Sequence, residues 1–130
     1  GLPLVFHPHS AGFVETPAEI GRLAAATDPD LVGLVFDTGH FLFGAGPDGA
    51  DPVAMLDELG DRVRHVHFKD LEPNVAARSR AEEWPYFDAL EHGVFCELGN
   101  GAVDFTAVAN ALRRRGYDGW IVVEQDVLPG

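Results

Sequence analysis

The chain is poor in positive charge. It carries 9 Lys and Arg against 21 Asp and Glu, for a formal net charge of -12 over 130 residues. Proteins hold phosphate backbones by neutralising them with Lys and Arg, so this balance argues against a nucleic-acid partner. Cysteine is nearly absent: Cys96 stands alone, which excludes an internal disulfide and fits a reducing, cytoplasmic setting. No apolar run approaches the ~20 residues of a membrane span, and no basic segment followed by an apolar one opens the chain. A membrane partner is therefore not expected. Lysine is almost missing too. Lys69 is the only one, and every other basic residue is arginine. What is present is core-forming material, with 46% hydrophobic and 23% charged residues. That composition predicts a folded single domain over residues 1–130.

Four short apolar blocks read as strands: Leu2–His7, Leu31–Asp37, Val63–Phe68 and Trp120–Glu124. Their lack of strict polar alternation predicts burial on both faces, as in a parallel sheet. Helices are announced by their starts. Thr16-Pro17-Ala18-Glu19 combines a capping box with proline at the first helical position. Asp51-Pro52 opens a second helix, with Met55, Leu56 and Leu59 on its inner face. Asp104 opens a third, with Phe105, Val108, Ala109 and Leu112 on one stripe. Gly60 and Gly116 are placed to end the second and third. Residues 81–91 can form a further helix, which Pro85 interrupts. The order is β-α-β-α-β, a long loop, then α-β, and implies an α/β fold with parallel strands and crossover helices.

Chemistry collects at the strand ends. His7, Asp37 and His67 stand 30 positions apart, each at or near such an end, and Glu124 closes the fourth strand. A carboxylate delivered by a run as apolar as Leu34-Val35-Phe36 is costly unless it is paired, capped or bound to a cation. For Asp37 the competing explanation is a cap on the following turn. Gly39 would then let the chain bend sharply and return His40 to the same opening. His9 follows His7 by two residues and can face the same side. On the third strand His65, His67 and Lys69 share one side, with Val66 and Phe68 on the other. Two imidazoles and two carboxylates suit a divalent ion of the Mn²⁺, Co²⁺, Fe²⁺, Zn²⁺ or Mg²⁺ type. Ligands at the ends of parallel strands also match the mouth of a β/α barrel.

Three segments carry less than they suggest. Gly44-Ala45-Gly46-Pro47-Asp48-Gly49 has dinucleotide-binding spacing, but Pro47 removes an N–H and residues 37–40 separate it from the strand. Gly99-Asn100-Gly101 reads as a turn leading into the Asp104 helix. Arg113-Arg114-Arg115 fits a helix's last turn, where cations favour the dipole.

In order, Phe36-Asp37-Thr38-Gly39-His40, His65-Val66-His67-Phe68-Lys69-Asp70, the Gly99–Phe105 segment and Val122-Val123-Glu124 resemble the xylose-isomerase-like TIM-barrel superfamily. Within it, Phe6-His7-Pro8-His9 and the Thr27–His40 segment are most similar to the inosose (2-keto-myo-inositol) dehydratases. The resemblance spans nearly the whole chain. It implies metal ligands at Asp37, His67 and Glu124, with His7 where the superfamily commonly has a glutamate. Without that glutamate, proton exchange between two metal-bound glutamates loses a partner, and a one-base elimination is easier to accommodate. The implied activity is a hydro-lyase acting on a keto-inositol, with Mn²⁺ or Co²⁺ the foremost ions. His40, Lys69 and Glu124 are then the proton-transfer candidates, and His9 and His65 line the substrate. A sugar or keto-acid isomerase or epimerase is the alternative within the superfamily, and a non-catalytic half-barrel stands outside enzymes altogether. A closed barrel needs ~250 residues. The resemblance therefore implies the C-terminal half of one, inactive alone, its edges awaiting an N-terminal half or a second copy.

Overall fold

A computed structural model describes residues 2–47 and 49–127. Its first sheet has four strands, β1 (Leu4–Phe6), β2 (Val32–Asp37), β3 (Val63–Phe68) and β6 (Ile121–Val123). They pair in that order and every pairing is parallel. The two outer strands are shorter than their sequence blocks, so His7 and Glu124 stand just past the last paired residue.

Helix starts follow the local chemistry. Helix α1 (Pro17–Ala26) has both arms of the Thr16/Glu19 capping box, and α3 (Pro52–Leu59) is capped by Asp51, whose side chain accepts from Val53 N–H. Helix α6 (Phe105–Arg114) is capped by Asp104 through Ala107 N–H. Gly60 and Gly116 follow α3 and α6 with φ of +59° and +69°, a backbone state that costs glycine little. Met55, Leu56 and Leu59 are buried as the spacing implied, against Leu34, Phe36 and Val66 of the sheet. On α6 the inner stripe is turned slightly from the expected one: Val108 and Leu112 are buried, but Ala111 rather than Ala109 completes the stripe.

Three elements depart from the sequence reading. Helix α2 (Thr38–Ala45) begins directly at the end of β2, where only a turn was expected. The long loop after β3 is an ordered excursion: β4 (Asp70–Leu71), α4 (Pro73–Ala81), α5 (Tyr86–Glu91) and β5 (Phe95–Cys96). Strands β4 and β5 pair antiparallel. Pro85 accounts for the split, since it stands as the N-cap of α5 and α4 has already ended. Leu71, Ala76, Ala89, Val94 and Phe95 give the excursion its own small core. The glycine-rich segment partly belongs to α2, and Asp48 lies outside the described residues.

Burial on both faces holds for β2, is only partial along β3, where Val63 and Val66 alone are buried, and fails at the edges. Residues 33–37 are buried, whereas β1 and β6 are exposed along their whole length. Trp120 is 77% and Val123 67% exposed. A parallel sheet ending in two bare apolar edges is an arc of a barrel, not a closed one. Among the described residues, no helix is long and apolar enough to cross a membrane.

Candidate metal centre

Asp37 serves two purposes that the sequence presented as alternatives. Its Oδ1 accepts from His40 N–H at 2.9 Å and so caps α2. Its Oδ2 faces away from the helix, 3.4 Å from His67 Nδ1 and 3.6 Å from His7 Nε2. Across the mouth, His67 Nδ1 is 2.5 Å from Glu124 Oε2. The strands bring together the four side chains from their ends. Thr38 fixes the register of two of them: its hydroxyl donates to the Lys69 carbonyl at 2.6 Å and accepts from Lys69 N–H at 3.0 Å.

Four buried side-chain atoms in the described residues lack any hydrogen-bond partner, and they are His7 Nε2, Asp37 Oδ2, His67 Nδ1 and Glu124 Oε2. Leaving one such atom unpaired costs about 1–3 kcal/mol, more when it is charged. Asp37, His67 and Glu124 offer atoms within 4.8 Å of one another, while His7 joins Asp37 in a second such group with His40, and a cation bound there would satisfy these unpaired atoms. Ligands at ~2.1 Å from an ion in a tetrahedron stand ~3.4 Å from one another. Asp37 Oδ2 stands at about that edge from both His67 and His7, at 3.4 and 3.6 Å, and His67 and Glu124 are closer still, whereas His7 falls outside the Asp37, His67 and Glu124 group. The donor set is borderline-hard, two imidazole nitrogens and two carboxylate oxygens, and it fits a divalent ion.

Local electrostatics agree. Burial would raise the Asp37 carboxyl, but His67 and His7 beside it, with the Lys69 charge nearby, outweigh burial and hold it far below the usual range. The same contact with Asp37 raises His67. His40, by contrast, is pushed down to about 3, chiefly by burial and against the pull of Asp37, and is neutral at physiological pH.

A second ring of groups adjoins the first. His40 Nδ1 meets Ser10 Oγ at 2.8 Å and its Nε2 meets Lys69 Nζ at 2.9 Å. Lys69 is fully buried, and its Nζ donates to Asp126 Oδ2 at 3.0 Å. Tyr86, on α5, donates to the same oxygen at 3.0 Å. The His9 ring packs on His40 with centroids 3.7 Å apart. His65 lies on the same side of β3 as His67, ring centroids 5.1 Å apart, and is lowered mainly by burial. It belongs to none of the ligand groups found among the described residues. Asp126, Tyr86 and Ser10 were not singled out by the sequence. Ser10 directly follows His9 and Asp126 lies two positions past Glu124, whereas Tyr86 arrives through the excursion and leaves no spacing signal.

Gly39 does something other than bend the chain. It is helical, and a Cβ there would stand 2.6 Å from Lys69 Cγ. The lysine has little room to retreat, since the residue is fully buried and its Nζ is tied to His40 Nε2 and Asp126 Oδ2. Gly39→Ala is expected to destabilise the protein by about 1–3 kcal/mol through overpacking. Urea unfolding would show this, and the loss should shrink when Lys69 is also cut back to alanine. An unchanged midpoint for the single variant would contradict the close approach.

The family model of the xylose isomerase-like TIM barrel matches residues 1–127. The chain belongs to that family. Inosose dehydratase of Lacticaseibacillus casei is 38% identical over 129 residues, covering 99% of this chain and 42% of the relative. Inosose dehydratase of Geobacillus kaustophilus (strain HTA426) is 41% identical over 129 residues, again 99% of this chain and 41% of the relative. Among solved structures, the IOLI protein with a binding zinc atom aligns with 95% of this chain and 39% of its own, with a TM-score of 0.61 and 25% identity. The chain thus spans about 42% of the length of these curated relatives. As a partial xylose isomerase-like barrel it has the two open edges that such an arc requires.

Proposed function

We propose that the whole protein is a divalent-metal-dependent hydro-lyase that removes water from 2-keto-myo-inositol, giving a trihydroxycyclohexanedione. The observation that carries the reading is the set of four unpartnered atoms at the strand ends of a chain about 40% identical to inosose dehydratases. His7 Nε2, Asp37 Oδ2, His67 Nδ1 and Glu124 Oε2 would hold the ion. When bound, a divalent cation polarises a ketone and balances the charge that develops on its oxygen as the neighbouring proton leaves.

Elimination needs one group to take the C–H proton and one to return a proton to the departing hydroxyl, so that water leaves as the double bond forms. Of the three residues assigned to proton transfer, Glu124 is the most open, with its side chain 35% exposed. It is the group that reaches the substrate. His40 and Lys69 are closed off from solvent and act behind it: Lys69 Nζ lies 3.7 Å from Glu124 Oε2 and bonds His40 Nε2. His9 and His65, both partly exposed on the mouth side, line the substrate space. A histidine at position 7 leaves one glutamate in the set, which favours elimination over exchange between two glutamates. The ion is Mn²⁺ or Co²⁺ in this reading, and residues 1–130 form one structural unit whose β1 and β6 edges the rest of the barrel, or a second copy, covers. The arc alone is inactive, since part of the substrate wall is missing.

The test is an assay of the whole protein with 2-keto-myo-inositol, following the ultraviolet absorbance of the dione. Chelation should abolish turnover, and Mn²⁺ or Co²⁺ should restore it. Full activity after exhaustive chelation would reject the metal. Substrate conversion with no absorbing product would replace the lyase with an isomerase or epimerase.

A further inference from the structure

Beside the candidate metal centre stands a second group of possible cation ligands. His9, His40 and Asp126 each offer a ligand atom, and the three atoms lie within 4.8 Å of one another. His9 Nδ1 is occupied by the Ser10 carbonyl at 2.8 Å, which leaves Nε2. His40 Nδ1 is occupied by Ser10 Oγ, which leaves its Nε2. Asp126 adds a carboxylate that Tyr86 orients. Two nitrogens and an oxygen make the same borderline-hard donor chemistry as the first site.

The Lys69 side chain already fills that place. Its Nζ is 2.9 Å from His40 Nε2, 3.0 Å from Asp126 Oδ2 and 3.7 Å from both Asp37 Oδ2 and Glu124 Oε2. An ammonium facing His40 Nε2 makes that nitrogen the acceptor, and a lone pair given to Lys69 is not free for a metal. The residue is fully buried, with its stem against Gly39 and its Nζ 5.0 Å from the centre of the Phe95 ring. It cannot swing out to make room. A compact ammonium suits this position, whereas a planar guanidinium would need more space, and this is the one basic position that is not arginine.

We infer that the Lys69 ammonium takes the place of a second divalent cation, so that the site accepts one ion and rejects a second. The inference rests on the metal reading above and specifies its stoichiometry. Three carboxylates, Asp37, Glu124 and Asp126, surround the pair of cations, and one divalent ion with one lysine balances them. A second divalent ion could enter only where Lys69 Nζ now stands.

The experiment measures Co²⁺ bound per chain, by native mass spectrometry and by elemental analysis after gel filtration of the whole protein. The unaltered protein should hold one ion at excess Co²⁺. Lys69→Ala, which empties the place, should hold two, and adding Asp126→Asn to it should return the count to one. Lys69→Gln guards against a folding failure of the alanine variant: it keeps most of the stem, is shorter by one atom and offers an amide oxygen, and should also hold two. If the unaltered protein binds one ion and both Lys69 variants still bind one, this inference falls while the metal reading stands. Two ions in the unaltered protein would likewise overturn it. No bound ion at all would remove the metal reading and the inference with it.

Discussion

Asp70→Ala is expected to cost the protein several kcal/mol of stability although Asp70 touches no substrate. Its carboxylate is fully buried and accepts four backbone N–H groups: Leu71 and Val103 on Oδ1, Gly99 and Gly101 on Oδ2. The distances run from 2.8 to 3.0 Å. Gly101 presses so close to Asp70 that a side-chain carbon there would collide with its Oδ1 and with the Leu71 carbonyl. An alanine leaves these donors facing a hole. At about 1–3 kcal/mol for each buried donor left unpaired, two that fail to find water cost about 2–6 kcal/mol. That is a large share of the ~5–15 kcal/mol by which a domain is stable. Urea unfolding of the whole protein measures it. Asp70→Asn, which retains one acceptor oxygen, should lose less, and a loss under ~1 kcal/mol for the alanine variant would show that the carboxylate is no anchor.

Asp37→Asn should have the largest effect on the metal centre. The native carboxylate satisfies two demands at once, with Oδ1 on His40 N–H and Oδ2 toward His7 and His67. An amide has one oxygen. If that oxygen keeps the helix cap, an NH₂ faces the ion, and if it flips to serve the ion, the cap is lost and an NH₂ opposes the His40 N–H. Removal of an outer-shell partner lowers metal affinity ~10–100-fold, and loss of a charged ligand should exceed this. We expect Co²⁺ affinity to fall by ~100-fold or more, with turnover falling alongside. Glu124→Gln should follow the same direction, since it too deletes charge while keeping volume. Metal-free Asp37→Asn should also lose some stability, because His67, His7 and Lys69 hold the native carboxylate ionised and favour the fold through it; the ligand role is therefore read from ion affinity and not from the unfolding midpoint. Calorimetric titration with Co²⁺ settles the point, and an affinity within threefold of the parent would rule out Asp37 as a ligand.

The sequence by itself determined the elements whose signals are local. Thr16-Pro17, Asp51-Pro52 and Asp104 start their helices because a short side chain can satisfy the free N–H groups of the first turn, whatever surrounds it. The four parallel strands were legible because apolar runs of that length have few other uses, and their ends already displayed His7, Asp37, His67 and Glu124. Helix α2 was not legible, because Thr38-Gly39-His40 has weak helix propensity and the helix is held by its burial and by the Asp37 cap. The excursion was hidden for a similar reason. Strands β4 and β5 have two residues each and show no period, and their pairing depends on contacts between positions 70 and 96. Only the tertiary structure decided which groups surround the lysine. Ser10, Tyr86 and Asp126 come from three separate segments, and the 2.8–3.0 Å contacts that join them through His40 and Lys69 arise only when the chain is folded. A strand end shows its chemistry in one dimension, but a pocket is made by residues that sequence distance keeps apart.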